Sequence, residues 1–468
     1  MTPVERMSAL DAEFLHLEDG VNHMHIGACA VFEGPCPTDD EARGLFTAAL
    51  PRIPRYRQRL HTIPFELGRP VWEDDPTFAL ADHLFHTTVA APGGDDELQD
   101  LMAAVMSTEL DRRHPLWEAW VVDGLADDRW ALLAKVHHCI VDGVAGMDLM
   151  EVVLDDSPTA AAAGSTGRDE WEAEPGPSDT RLAMDAVGDL VQPLLAASRR
   201  LLGAVAHPGD ALRGLRRLGS GLRSWVDEAW PTPRSTIGGT IGPDRRWTWA
   251  RATLAEAKAI RAARGGTVND VILAAVTRGF RDLLEARGED PALHEVRTLV
   301  PVSVRARHGV LDNEVSALVA ELPVGYAVAE LRYEAVRSET LCLKLSDEPE
   351  AGEAVTALAE LVPAPLMAFG TRAAVALLRH HPQRNITTVT TNVPGPQYPL
   401  YAAGRRMVGY FPYVPVAFGI RYAVAVLSYD GDLFFGLTGD QESSPDLDVL
   451  ARGIEAGFAE LRLPERGA

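Results

Sequence analysis

The sequence predicts a mixed α/β (α+β) chain, built as two similar sandwich domains joined by a linker. Three observations carry this expectation. The chain has 468 residues, too many for one ordinary hydrophobic core. Both halves alternate apolar strand-like runs with amphipathic segments, mostly in an antiparallel hairpin pattern. Between them, from Ser157 to about Pro177, the sequence turns to Ala, Gly, Ser, Pro and Glu without periodicity, as an exposed linker does.

In the first half, HIGACAVFEG (25–34) reads as a strand and DDELQDLMAAVMSTELDRR (95–113) as a helix. LWEAWVVDGLADDRWALLAKVHH (116–138) reads as two strands joined across a Gly/Asp turn. After Gly143, the residues Val144, Met147, Met150 and Leu154 recur at helical spacing. The expected organisation is therefore 1–156 as the first domain, 157–241 as the connection and 242–468 as the second domain. That second part opens with helices at 253–266 and 267–288, followed by a strand at 296–305. Two apolar helices broken at Pro363 and Pro365, a strand at 385–395, a 422–440 hairpin around Asp-Gly and a closing helix from about 446 complete it.

Composition narrows the function classes. The formal net charge of −23 argues against nucleic acid as a partner, since phosphate binding needs a basic footprint. The four cysteines, Cys29, Cys36, Cys139 and Cys342, show no CxxC pair and no zinc-like spacing, and read as reduced thiols of a cytoplasmic protein. No signal-peptide pattern and no spanning apolar run is seen. One segment reverses the charge: 193–225 carries six arginines against one aspartate. It either lies on an anionic lipid surface, with Leu201, Leu202, Leu212, Leu215 and Leu222 toward acyl chains, or packs on the protein as an amphipathic helix, and packing is the preferred reading.

The chemistry is concentrated in LLAKVHHCIVDGVAGMDLM (132–150). On a strand His138 shares one face with Leu132, Ala134 and Val136, whereas His137 shares the other with Leu133 and Lys135, so the two rings divide between chemistry and support. A strand end opening into a loop suits an imidazole acting as general base. Gly143 allows close approach, and Asp142 either orients a ring or locks the loop by pairing with an arginine. A metal site from His137, His138 and Asp142 is disfavoured by the opposed faces and the missing third nearby ligand.

HHCIVDG resembles the HHxxxDG signature of the acyl-CoA-dependent acyltransferase superfamily. With MSALDAEFLHLED, HPLWEAWVVDG, TVNDVILAAV, LVPVSVR and TNVPGPQYPLY, in this order from about residue 7 onward, the chain resembles the bacterial wax ester synthase/diacylglycerol acyltransferase family. The resemblance implies two chloramphenicol-acetyltransferase-like sandwich domains with a reaction tunnel between them. It also implies acyl transfer from acyl-CoA to diacylglycerol or a long-chain alcohol, with His138 as general base, His137 and Asp142 in support, and no acyl-enzyme.

Asn269 then either donates to the oxyanion or, with Asp270, only complements a helix N-terminus. Trp117, in Pro115-Leu116-Trp117, reads mainly as packing with a subsidiary role at the tunnel wall. Arg305 and Arg307 are candidate partners for CoA phosphates or for Asp142. No bound cofactor and no metal are expected, since acyl-CoA is a co-substrate. The lipid substrates imply peripheral contact with the inner membrane or a lipid droplet. The alternatives are an acyltransferase for another lipid or polyketide alcohol, or for a carrier-bound acyl donor, and a non-catalytic lipid-binding relative.

Overall fold

A computed structural model describes residues 5–140, 152–159, 171–186, 234–303, 315–345, 364–380 and 383–462. The first half runs α1 (Ala9–Leu17), β1 (His25–Glu33), α2 (Asp39–Ala49), β2 (Gln58–His61), β3 (Val71–Asp74), β4 (Leu84–Thr88), α3 (Asp95–Met106), β5 (Trp117–Leu125) and β6 (Arg129–His137). The second runs β7 (Arg245–Thr253), α4 (Leu254–Arg264), α5 (Val268–Ala286), β8 (Val296–Ser303), β9 (Val315–Leu322), α6 (Ala329–Leu345) and α7 (Ala364–His380). It continues through β10 (Thr388–Pro394), β11 (Tyr401–Ala402), β12 (Arg405–Tyr413), β13 (Tyr422–Tyr429), β14 (Asp432–Asp440) and α8 (Leu447–Leu461).

The strands form two six-stranded sheets, ordered β11-β12-β1-β6-β5-β4 and β7-β14-β13-β10-β8-β9, with β2 and β3 as a separate pair. The mixed α/β class of two sandwich-like layers is as expected. Both predicted hairpins are present, and each turns where aspartate tolerates a left-handed backbone: Asp127 and Asp128 between β5 and β6, Asp430 with Gly431 between β13 and β14. The run Ala131–Val136 is buried throughout, as a central strand covered on both faces must be.

The halves are not separate in space. Strand β12 pairs along β1 from Gly27↔Tyr413 to Phe32↔Met407, so the second half supplies two strands of the first sheet. Behind that seam, the backbone of Gly436 on β14 lies against the Pro412 carbonyl, and a Cβ there would sit 1.6 Å from the oxygen. Only glycine permits the approach. The first core accordingly draws Trp247, Phe411 and Phe434 from the second half.

Several expectations need correction. The 95–113 helix stops at Met106, where buried Lys135 takes the Val105 and Thr108 carbonyls at 2.9 and 2.7 Å and so satisfies groups a longer helix would have paired. The pairing is less antiparallel than predicted: β4 runs parallel to β5, and β10 runs parallel to both β8 and β13. Strands β7, β9, β11 and β12 lie in segments with no predicted strand.

The linker is also less exposed than expected at its end. Trp171 sits beneath the Arg57 guanidinium at 5.0 Å, and Leu182 and Ala186 are buried with Ile63 and Val71. The 193–225 segment lies outside the described residues, as does the predicted helix break at Pro363.

Candidate active site

Strand β6 ends at His137, and His138–Ile140 form a 3₁₀ turn. His138 is therefore no strand residue, and its ring leaves the sheet by a change of backbone rather than by simple alternation. The last ladder bonds are His137 N–H to Leu116 O at 3.0 Å and His138 N–H to Met24 O at 2.9 Å. The Cys139 N–H donates to His137 Nδ1 at 3.1 Å, so a side chain closes the turn. With Nδ1 accepting, Nε2 is the ring nitrogen that carries a proton.

His137 is fully buried, and its Nε2 faces Glu18 Oε2 at 3.5 Å. Its register partner His25 contacts Glu18 Oε1 at 3.2 Å, and Arg112 donates to Glu18 Oε2 at 2.7 Å. The Met24 N–H adds a hydrogen bond to Glu18 Oε1 at 3.2 Å. Burial would raise the Glu18 carboxyl, but the contacts from His137 and His25 outweigh it and hold the group well below the usual carboxylate range. A buried carboxylate thus anchors the first histidine of the pair.

His138 has a different environment. Its ring stacks on Phe14 of α1 with centroids 4.0 Å apart and planes at 21°, and its Nδ1 is buried with no hydrogen-bond partner among the described residues. Burial, reinforced by neighbouring His137, pushes its pKa down to about 4. The imidazole is consequently neutral at physiological pH, the protonation state a general base requires.

The ladder of buried ionisable groups extends toward the second half. His23 stacks over His25 at 5.6 Å with planes 3° apart, and burial lowers the pKa of both, His25 to about 4. Arg245 of β7 arrives from the other side: its guanidinium donates to the Val21 and Gly242 carbonyls, and its N–H to Ser107 Oγ at 2.8 Å. Asn22 Oδ1 accepts from the Phe418 N–H at 3.1 Å. The site's support is therefore shared by both halves.

The remaining predicted residues separate by role. Asp270 closes a capping box with Thr267 at the start of α5 and accepts from Thr340 Oγ1 at 2.7 Å, contacts that fix the helix start. Asn269 is half-buried, and its Oδ1 accepts from Asn392 Nδ2 at 3.3 Å, which joins the two sequence blocks TVND and TNVPG. Trp117 stacks on His83 at 4.7 Å and on Phe46, and donates to Tyr56 O at 2.8 Å. It is fully buried and packs as the sequence suggests. Asp142, Gly143, Arg305 and Arg307 lie outside the described residues.

Sequence reasoning missed Glu18, Phe14, Arg112 and His25. The available signal was the pair His23 and His25, two apart at the entry to a strand, with an acid ahead of them in LHLED.

Comparison with known proteins bears on this arrangement. Residues 7–272 match the model of the wax ester synthase/diacylglycerol acyltransferase catalytic domain, and residues 311–462 match the C-terminal domain of the same family. The chain belongs to the wax ester synthase/diacylglycerol acyltransferase family. It is thereby an acyltransferase. A Mycobacterium tuberculosis protein named as a diacylglycerol O-acyltransferase, tgs1, is 36% identical over 469 residues, spanning 98% of this chain and 96% of the relative.

Among solved structures, the wax ester synthase/diacylglycerol acyltransferase of Marinobacter aquaeolei VT8 superposes with a TM-score of 0.68 at 24% identity, covering 98% of both chains. The starter condensation domain of rhizomide synthetase, solved with C8-CoA, superposes with a TM-score of 0.55 at 13% identity, over 98% of this chain and 96% of that one. These likenesses establish the two-domain condensation and acetyltransferase-like fold.

Proposed function

We propose that this acyltransferase moves a long-chain acyl group from acyl-CoA to the hydroxyl of diacylglycerol, a long-chain alcohol, or both. The observation that carries the mechanism is the neutral, Phe14-stacked imidazole of His138 in the turn that ends a central strand. The acceptor hydroxyl gives its proton to His138 and the alkoxide attacks the thioester carbon. The tetrahedral oxyanion then collapses with departure of CoA thiolate, to which His138 returns the proton. No acyl-enzyme forms.

His137, held by Glu18 and by the Cys139 N–H, fixes the turn that presents His138. Asn269 is the oxyanion donor in this reading: its carbonyl side is engaged by Asn392, which leaves its amide N–H groups to donate. The 1–156 and 242–468 portions enclose the substrates in a tunnel, with 157–241 as the connection. Gly143 and Asp142 shape the loop after the base, and Arg305 meets CoA phosphate.

The diacylglycerol assignment draws on the named mycobacterial relative, and the CoA donor on the C8-CoA complex of the structural neighbour. Peripheral contact with a membrane or lipid droplet completes the reading. No helix among the described residues is long and apolar enough to cross a membrane, whereas α7 exposes Leu366, Phe369 and Leu377.

The test is CoA release from palmitoyl-CoA with hexadecanol, with dioleoylglycerol and without acceptor, in the native chain and His138→Ala. Acceptor-dependent release that disappears in the variant is expected. Equal release by both proteins overturns the assignment of the base. Dependence on one acceptor alone defines the branch.

A further inference from the structure

A second cluster lies at the opposite end of the first sheet from the histidine pair. Cys36 in the β1–α2 connection, His86 on edge strand β4 and Asp123 near the end of β5 place one ligand atom each within 4.8 Å of the others. Along β5, Asp123 is six residues beyond Trp117, which pairs opposite Val136 beside the histidines. At about 3.3 Å per residue the cluster stands about 20 Å from them.

The geometry points to a divalent transition-metal site, of the zinc type, formed by Cys36 Sγ, His86 Nε2 and an Asp123 carboxylate oxygen. Cys36 Sγ and His86 Nε2 are 3.8 Å apart. Bonds of about 2.3 Å to sulfur and 2.0 Å to nitrogen at a tetrahedral angle require about 3.5 Å between them, so this pair closes with a small adjustment while the exposed Asp123 carboxylate, within 4.8 Å of both, swings in to meet the ion. Thiolate, imidazole and carboxylate form a donor set suited to zinc, with water as the fourth ligand.

Two further features are those of a built site. His86 Nδ1 faces Asp39 Oδ1 at 2.6 Å, the outer carboxylate contact that fixes a metal-binding imidazole with Nε2 turned to the metal. The cysteine loop is held before any ion arrives: Gly34 N–H donates to Asp128 O at 2.7 Å, and Arg405 Nε donates to Pro35 O at 3.1 Å while its guanidinium pairs with Glu41. The ion would tie the short edge strand β4 to the β1–α2 connection. Its role is structural and regulates the stability of the sheet edge rather than the chemistry at His138.

The experiment uses the full chain, freed of metal by a chelator and titrated with Co²⁺. A thiolate-to-cobalt charge-transfer band saturating at one equivalent is expected, and Zn²⁺ should displace it and raise Tm. Cys36→Ser should abolish the band, Cys342→Ser should leave it, and Asp39→Asn should weaken binding about 10- to 100-fold. Acyl transfer by Cys36→Ser should remain at the native rate, which keeps this test separate from that of the base. A missing band, or one that survives Cys36→Ser or follows Cys342, overturns the site.

Discussion

The two sheets are built to the same plan but bury different things. Near one end of its two middle strands the first hides His25, Lys135 and His137 on one sheet face, with Glu18 packed against them. The centre of the second satisfies itself with hydroxyls: Thr298 donates to Thr390 at 2.8 Å, and Thr388 donates to the Tyr422 carbonyl at 2.8 Å. Neutral hydroxyls in a strand complete hydrogen bonds without a desolvated charge. Buried titratable groups have protonation states that environment sets, and the proposed base lies beside such a cluster in the first sheet.

Breaking this difference at its most active point should give the largest effect. His138→Ala is expected to lower kcat about 10²- to 10⁴-fold. The half-buried ring leaves no charge behind, so Tm should change far less than the rate. Parallel steady-state kinetics and thermal melts check this split.

Glu18→Gln attacks the support instead. Removing the carboxylate leaves Arg112, His25 and His137 without their common partner, and should cost about 3 kcal/mol of stability together with a reduced kcat. Denaturant unfolding reads the first quantity. If stability is unchanged while activity falls, Glu18 acts on the reaction alone and the anchoring account is wrong.

Acid should distinguish the sheets without mutation. The His25 pKa is near 4 in the fold against about 6.5 when unfolded, so between those values the unfolded chain binds more protons. Stability is fully present above about pH 6.5 and declines as pH falls toward 4, by a few kcal/mol for this group, on the order set by the shift. Glu18, depressed in the fold, adds to the loss below the ordinary carboxylate range. His25→Gln should flatten the decline in Tm between pH 6.5 and 4. The acid limb of kcat/KM should likewise fall near the His138 value of about 4, below that of an ordinary histidine.

The smallest effect belongs to the second sheet. Thr298→Val with Thr390→Val removes both partners of one buried hydrogen bond, so about 1 kcal/mol or less is expected. Neither kcat nor its pH dependence should move. A shifted pH profile would show that the second sheet reaches the base after all.

Local signals carried much of this molecule. Alternation in 116–138 and the Asp-Gly pair at 430–431 determined both hairpins, because side-chain period and turn residues act over a few positions. The histidine pair was legible for the same reason, as was the TVND helix start, whose acid caps that helix, whereas His138 parts from His137 by entering a 3₁₀ turn that alternation does not foresee.

What distance along the chain separates, only the tertiary structure joined. Strand β12 enters the first sheet about 380 residues after β1, and no local pattern specifies such a partner. Glu18 meets His137, Asn269 meets Asn392, and Cys36 meets His86 and Asp123 by the same long-range closure. The sequence by itself determined which residue types could do acyl-transfer chemistry and where the strand presenting them ends. The fold decided their protonation and their supporting contacts, because desolvation and electrostatic partners depend on neighbours in space.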